Sequence, residues 1–117
     1  MLLGLTLFLS LGLLLLLFLG PRTLQAFWQR PGCGDAKAPL QSWHQEALRS
    51  RWTSPHAVKS QYATASIGGR NRVVFNIGGN KYRLVVEMQY RAGIAWVKFV
   101  GTHAEYDRIN VENVNDY

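Results

Sequence analysis

Three segments in the second half of the chain, Arg72 to Ile77, Lys81 to Tyr90 and Ile94 to Val100, are rich in Val, Ile, Phe, Tyr and Trp and alternate from one residue to the next. A period of two marks strands that bury one face. The intervening Gly-Gly-Asn and Arg-Ala-Gly signals are short enough for hairpin turns. The expectation is an antiparallel meander, and its register follows if both hairpins keep one face buried. A Gly79-Asn80 turn pairs Ile77 with Tyr82 and Asn76 with Arg83. Val73, Phe75 and Ile77 then share a face with Tyr82, Leu84, Val86, Met88 and Tyr90. An Ala92-Gly93 turn adds Ala95, Val97 and Phe99, opposite Tyr90, Met88 and Val86. The other face carries Arg72, Asn76, Lys81, Arg83, Glu87, Trp96 and Lys98. In this register Arg72 and Lys98 flank Glu87 in an ordinary cross-strand ion-pair arrangement. Arg83 lies between Asn76 and Thr102 and has no acidic cross-strand partner.

Upstream the period is helical. Leu24, Phe27 and Trp28 fall at i, i+3 and i+4 after a candidate N-cap, Thr23, and Leu40, Trp43, Ala47 and Leu48 repeat the spacing. Pro31, Gly32, Gly34 and Pro39 mark a loop between two short amphipathic helices. Ser54-Pro55 has the cap-then-proline form that opens a further helical turn, which carries Lys59. Helices followed by a meander make an α+β fold, a small antiparallel sheet packed on N-terminal helices.

Residues 1–20 carry no charge and are almost wholly Leu, Phe and Gly, so residues 21–117 form the one folded domain and hold all 13 Lys and Arg and all 7 Asp and Glu. The run from Leu2 to Leu19 matches a membrane span, since about 20 helical residues cover roughly 30 Å of hydrocarbon. As a span, followed by Arg22, Arg30 and Lys37, it leaves the domain in the cytosol. A cleaved signal peptide competes, although no basic residue precedes the apolar run and Phe18 and Pro21 suit a cut after Gly20 poorly. In a third reading the run is an extension whose last residues, such as Leu16 to Leu19, supply a short strand. Residue types leave these alternatives open.

A net charge of +6 points to a polyanionic partner, nucleic acid or an anionic membrane surface. The single cysteine, Cys33, excludes an internal disulfide and cysteine-built zinc sites. The length excludes a two-domain Rossmann enzyme, a kinase or a TIM barrel.

After the third strand comes Gly101-Thr-His-Ala-Glu-Tyr-Asp-Arg108. His103, Glu105, Tyr106, Asp107 and Arg108, emerging beside Arg83, bring together an imidazole, a phenol, carboxylates and cations. RNA cleavage without a metal needs such parts. A base takes the 2′-OH proton, cations stabilise the phosphorane-like transition state, and an acid protonates the departing 5′ oxygen. No His-rich or paired-carboxylate metal motif is present, and no cofactor is expected. Plainer readings stand beside these: His103 as a strand-end histidine bonded locally, Tyr106 as a core aromatic, and His44 and His56 as exposed helical side chains. Trp96, the one aromatic on the basic face, is placed to stack on a base.

Residues 22–109 resemble the HigB group of the RelE/ParE toxin superfamily. The resemblance rests on Asn71-Arg-Val-Val-Phe-Asn-Ile77, Gly79-Asn-Lys-Tyr-Arg-Leu-Val-Val86 and Gly101-Thr-His-Ala-Glu-Tyr-Asp107, preceded by Arg22-Thr-Leu24 and Trp52-Thr-Ser-Pro55. It implies a RelE-like sheet with helices on one side and an endoribonuclease, an mRNA interferase acting on the translating ribosome in the cytoplasm. It also implies a HigA-type antitoxin partner with a helix-turn-helix domain. Carried over residue by residue, it suggests Arg83 as phosphate and transition-state stabiliser, His103 as general acid or base, and Tyr106 as the group orienting the scissile nucleotide. Lys81 and Asn76 would contact the RNA backbone, Lys59 and Arg72 would bind RNA or ribosome, and Asp107 would orient His103 or cap the last turn. Two alternatives remain: a ParE-like toxin that binds gyrase without catalysis, and a membrane-anchored or inactive variant. Family members begin with a short strand before Arg-Thr-Leu, where this chain has its Leu-rich run.

Overall fold

A computed structural model describes residues 17–19 and 21–115. The element order is β1 (Leu17–Leu19), α1 (Pro21–Trp28), a 3-10 turn (Gly34–Ala36), α2 (Lys37–Arg49), α3 (Pro55–Gln61), β2 (Ser66–Ile67), β3 (Arg72–Ile77), β4 (Tyr82–Gln89), β5 (Ile94–Thr102) and α4 (His103–Tyr106). The sheet runs β1-β5-β4-β3-β2. β2 to β5 are antiparallel to one another, and β1 pairs in parallel with Ile94–Trp96 of β5. The fold is α+β, helices followed by an antiparallel sheet. Among the described residues no helix is long and apolar enough to cross a membrane. The membrane-helix and signal-peptide readings of the Leu-rich run fall mainly on residues 1–16, outside the described residues.

Each helix follows from its local sequence. α1 starts at Pro21, whose fixed φ and missing N–H suit a first helical position, so Thr23 lies inside the helix rather than capping it. α2 takes in Pro39 within its first turn, where no intrahelical N–H is required, and buries Leu40, Trp43 and Ala47 while Leu48 stays exposed. Ser54 caps α3 through its Oγ, which accepts from the Ala57 N–H at 3.2 Å, and Pro55 is the first helical residue.

These helices cover one face of the sheet. Leu24, Phe27, Leu40, Trp43 and Val58 meet Val73, Phe75, Ile77, Tyr82, Leu84 and Val86 in one core. Phe75 is its aromatic hub, stacked on Trp52 at 5.8 Å and edge-on to Trp43 and Tyr62.

The first hairpin has the expected register, Ile77 opposite Tyr82 and Asn76 opposite Arg83, with Gly79 at φ +70° in the turn. The second hairpin departs from expectation twice. Its loop is Tyr90 to Gly93, closed by the Gly93 N–H donating to the Gln89 carbonyl at 2.9 Å, so Ala95 faces Met88 rather than Tyr90. A β-bulge then inserts Lys98: Val97 faces Val86, and the next pair is Phe99 with Val85. The slip of two residues preserves the faces of Ala95 and Val97, but the bulge turns Phe99 off the core face. Glu87 therefore stands opposite Trp96 rather than Lys98, and Arg83 stands opposite Gly101 rather than Thr102.

The second face is not the open polar surface that alternation suggests. Val74, Val85, Arg72 and Lys98 are all buried. The C-terminal segment lies against them. Arg72 Nη1 donates to the carbonyls of Val111 and Val114, both at 2.9 Å, and Asn115 Nδ2 donates to the Lys98 carbonyl while Lys98 Nζ donates to that of Asn115.

Candidate functional site

The site is built where β5 ends. Thr102 has extended backbone, φ −70° and ψ 165°, and starts α4 with a reciprocal capping box. Its Oγ1 accepts from the Glu105 N–H at 3.2 Å, and Glu105 Oε1 accepts from the Thr102 N–H at 2.9 Å. This fixes the direction of a four-residue helix that carries His103 at its start and Tyr106 at its end. Asp107 follows as its C-cap, and its Oδ2 lies 3.2 Å from His103 Nδ1. A carboxylate only accepts, so the pairing makes Nδ1 the donor and leaves Nε2 as the imidazole atom for exchange with a ligand.

Arg83 reaches the same spot from β4. Its cross-strand neighbour, Gly101, has no side chain, and its guanidinium carbon sits 5.8 Å from the centre of the Tyr106 ring. Nη1 donates to the carbonyls of Asn80 and Tyr82 at 3.1 and 3.2 Å, and Nη2 donates to Asn80 Oδ1 at 2.8 Å. The side chain is thus held rigidly by the Gly79-Asn80 turn at one end and by α4 at the other, with only 9% of the residue exposed.

The structure brings Arg83, His103, Tyr106 and Asp107 together and distributes the remaining candidates. Lys81, at the start of β4, is exposed and paired with Asp35, whose carboxylate also accepts from the Tyr82 hydroxyl. The hydrogen bond from Lys81, then that from Tyr82, holds Asp35 below the usual carboxylate range, and Asp35 in turn raises Lys81. Asn76 is half-buried opposite Arg83 and lines a recess of about 280 Å³ with Trp43, Glu46 and Tyr62 on the helical side. Lys59 Nζ donates to the carbonyls of Ala63 and Ala65, both at 2.8 Å, and so closes the chain after α3. Arg72 is fully buried, 3.4 Å from Glu87 and bonded to the C-terminal segment, in a structural setting remote from solvent. Trp96 is half-buried under Lys98 Nζ, which sits 4.8 Å from its ring centre. Among the described residues no group of three or more His, Cys, Asp and Glu could hold a metal ion.

Residue-by-residue reading gave Thr102 and Arg30 no part in the site and placed Glu105 among the acid/base groups rather than in a cap and ion pair. The Thr102-x-x-Glu105 spacing is a legible capping-box signal. Arg30, after α1, donates from Nη1 and Nη2 to Glu105 Oε1 and Oε2 at 3.2 and 3.0 Å, a fork-to-fork pair between residues 75 apart in sequence. The Arg30 hydrogen bonds, with those from Thr102, hold the Glu105 carboxyl below its ordinary value of 4.5. The pair's contribution is fully present above 4.5 and is lost as pH falls through the lowered native value. α4 is therefore expected to loosen in acid before the sheet does, which the pH dependence of amide exchange at Glu105, Asp107 and Arg108 would measure; protection at α4 that outlasts that of β4 in acid would contradict it.

The chain is thus a small sheet with helices on one face and a cluster of Arg83, His103 and Tyr106 at the end of β5. The HigB_toxin family model, described as the RelE-like toxic component of a toxin-antitoxin system, matches residues 36–109. The match covers more than half of the chain, and the chain belongs to this family: it is a RelE-like toxin of a toxin-antitoxin system, which implies an antitoxin partner. No curated protein matches the chain.

Proposed function

We propose that this toxin is a ribosome-dependent endoribonuclease that cuts mRNA by acid/base catalysis from its own side chains. The observation that carries the reading is the placement of the Arg83 guanidinium against Tyr106, on the same short helix as an Asp107-oriented His103. Arg83 is the group for the scissile phosphate: a cation in a nearly dry site, pre-positioned by three hydrogen bonds, stabilises developing charge without reorganising. His103 transfers a proton through Nε2, with Asp107 holding the ring by its Nδ1. Tyr106 covers the guanidinium and offers a ring edge and a hydroxyl to the nucleotide. Lys81 supplies long-range attraction at the rim, offset in part by Asp35, and Asn76 and Lys59 are weaker candidates for RNA contact. The buried setting of Arg72 favours a structural role for it. The antitoxin is proposed to be of the HigA type.

The test is cleavage of mRNA on programmed ribosomes by the purified protein, with analysis of the new ends. Attack by the 2′-OH leaves a 2′,3′-cyclic phosphate, or the 3′-phosphate derived from it, on one fragment and a 5′-OH on the other. His103→Ala is expected to slow that reaction by about 10²–10⁴. Intact messages, with DNA damage in cells expressing the toxin, would instead identify a gyrase-binding toxin.

A further inference from the structure

A four-residue helix cannot hold its own shape, because the nucleation cost of its single turn is not recovered by propagation. α4 therefore depends on what grips it from outside. The capping box fixes its first turn to the end of β5, but both of those residues, Thr102 and Glu105, belong to the same short stretch. The long-range grip comes from Arg30. Its guanidinium meets both Glu105 oxygens, and its other side packs over the Phe27 ring with 5.0 Å from guanidinium carbon to ring centre. Phe27 is buried and edge-on to Tyr82 at 5.3 Å.

The loop that carries Arg30 is itself tightly wound. The Arg30 N–H donates to the Phe27 carbonyl, the Cys33 N–H to that of Arg30 and the Ala36 N–H to that of Cys33, each at 3.0 Å. Asp35, on the same loop, holds Lys81 and Tyr82 at the start of β4, two and one residues before Arg83. One short connection between α1 and α2 thus grips both halves of the candidate site, α4 through Arg30 and the root of β4 through Asp35.

We infer that Arg30 is a positioning residue that sets α4, and with it His103 and Tyr106, against Arg83. The catalytic part of this inference rests on the ribonuclease reading above; the mechanical part does not. The pair is about half exposed, with side chains 45% and 38% accessible, so its role in overall stability is slight and its role in local order can be read separately.

The experiment uses Arg30→Met, which keeps the packing on Phe27, and Glu105→Gln, which keeps a capping-box side chain but removes the charge. Amide exchange at Glu105, Asp107 and Arg108, whose N–H groups are bonded to Thr102, His103 and Glu105, should rise about 5-fold in each variant, the equivalent of losing one exposed ion pair, while Leu84 to Val86 stay protected. On programmed ribosomes kcat should fall about 10-fold with KM nearly unchanged, as expected when the reacting groups are misplaced rather than the RNA released. Arg30→Lys, which keeps the charge without the fork, should recover part of both effects. Unchanged exchange at α4 in both variants would overturn the brace whatever the catalytic result. Raised exchange with unchanged kcat, or a raised KM with kcat preserved, would overturn the positioning role. A wild-type protein that leaves mRNA intact would overturn the ribonuclease reading alone, and the exchange measurement would still decide the brace.

Discussion

Arg83→Ala is expected to lower the rate of mRNA cleavage by about 10²–10³, the usual cost of removing a fixed donor from a developing oxyanion. The guanidinium is not simply a surface charge. It is held between the Asn80 carbonyl and side chain and the Tyr106 ring. Arg83→Lys should recover only a fraction of the rate, because an ammonium keeps the charge but cannot bond Asn80 and a phosphate in the same planar fork. Near-UV and amide spectra must show that the variants remain folded, since Asn80 loses its anchor in both. Folded Arg83→Ala that cleaves within tenfold of the wild type would remove Arg83 from the mechanism.

The largest effect on stability belongs to Arg72. Arg72→Ala is expected to cost about 3–5 kcal/mol, because it leaves Glu87 without its buried counter-charge. It also strips the Val111 and Val114 carbonyls of their donor. For a domain of this size the midpoint of thermal unfolding should fall by more than about 10 °C. Replacing both charges, Arg72→Met with Glu87→Leu, should recover much of the loss, since an apolar pair tolerates burial where a single carboxylate does not. A loss under about 1 kcal/mol in Arg72→Ala would show that the C-terminal segment is held on the sheet by other contacts. Loss of toxicity in this variant would report unfolding, which separates Arg72 from the residues of the site.

Residue alternation was enough for much of the architecture. A strict period of two over Val73, Phe75 and Ile77 excludes any odd slip, and the two-residue Gly79-Asn80 turn then selects the register. The helical spacing of Leu40, Trp43 and Ala47 and the Ser54-Pro55 signal placed two helices for equally local reasons. The string from Gly101 to Asp107 supplied the candidate acid/base groups, because they lie within a few residues of one another in the chain.

Alternation fails where its premise fails. A slip of two residues keeps every side chain on its face, so nothing in the pattern distinguishes a Tyr90–Gly93 loop from a tighter turn. The Lys98 bulge breaks the period itself and moves Phe99 off the core face. Charged residues on the second face read as solvated, but the C-terminal segment folds back onto it and buries Arg72 and Lys98 by meeting their charges with backbone carbonyls. Carbonyls are the same in every residue, so no sequence pattern announces that pairing. Arg30 and Glu105 meet only after the sheet has brought the end of α1 beside the end of β5. Residue types and spacing thus settled the main helices and the first hairpin, because local backbone preference and hydrophobic period decide them. Tertiary structure alone settled that Arg72 is entombed and that Arg30 meets Glu105, because both depend on contacts between segments distant in the chain.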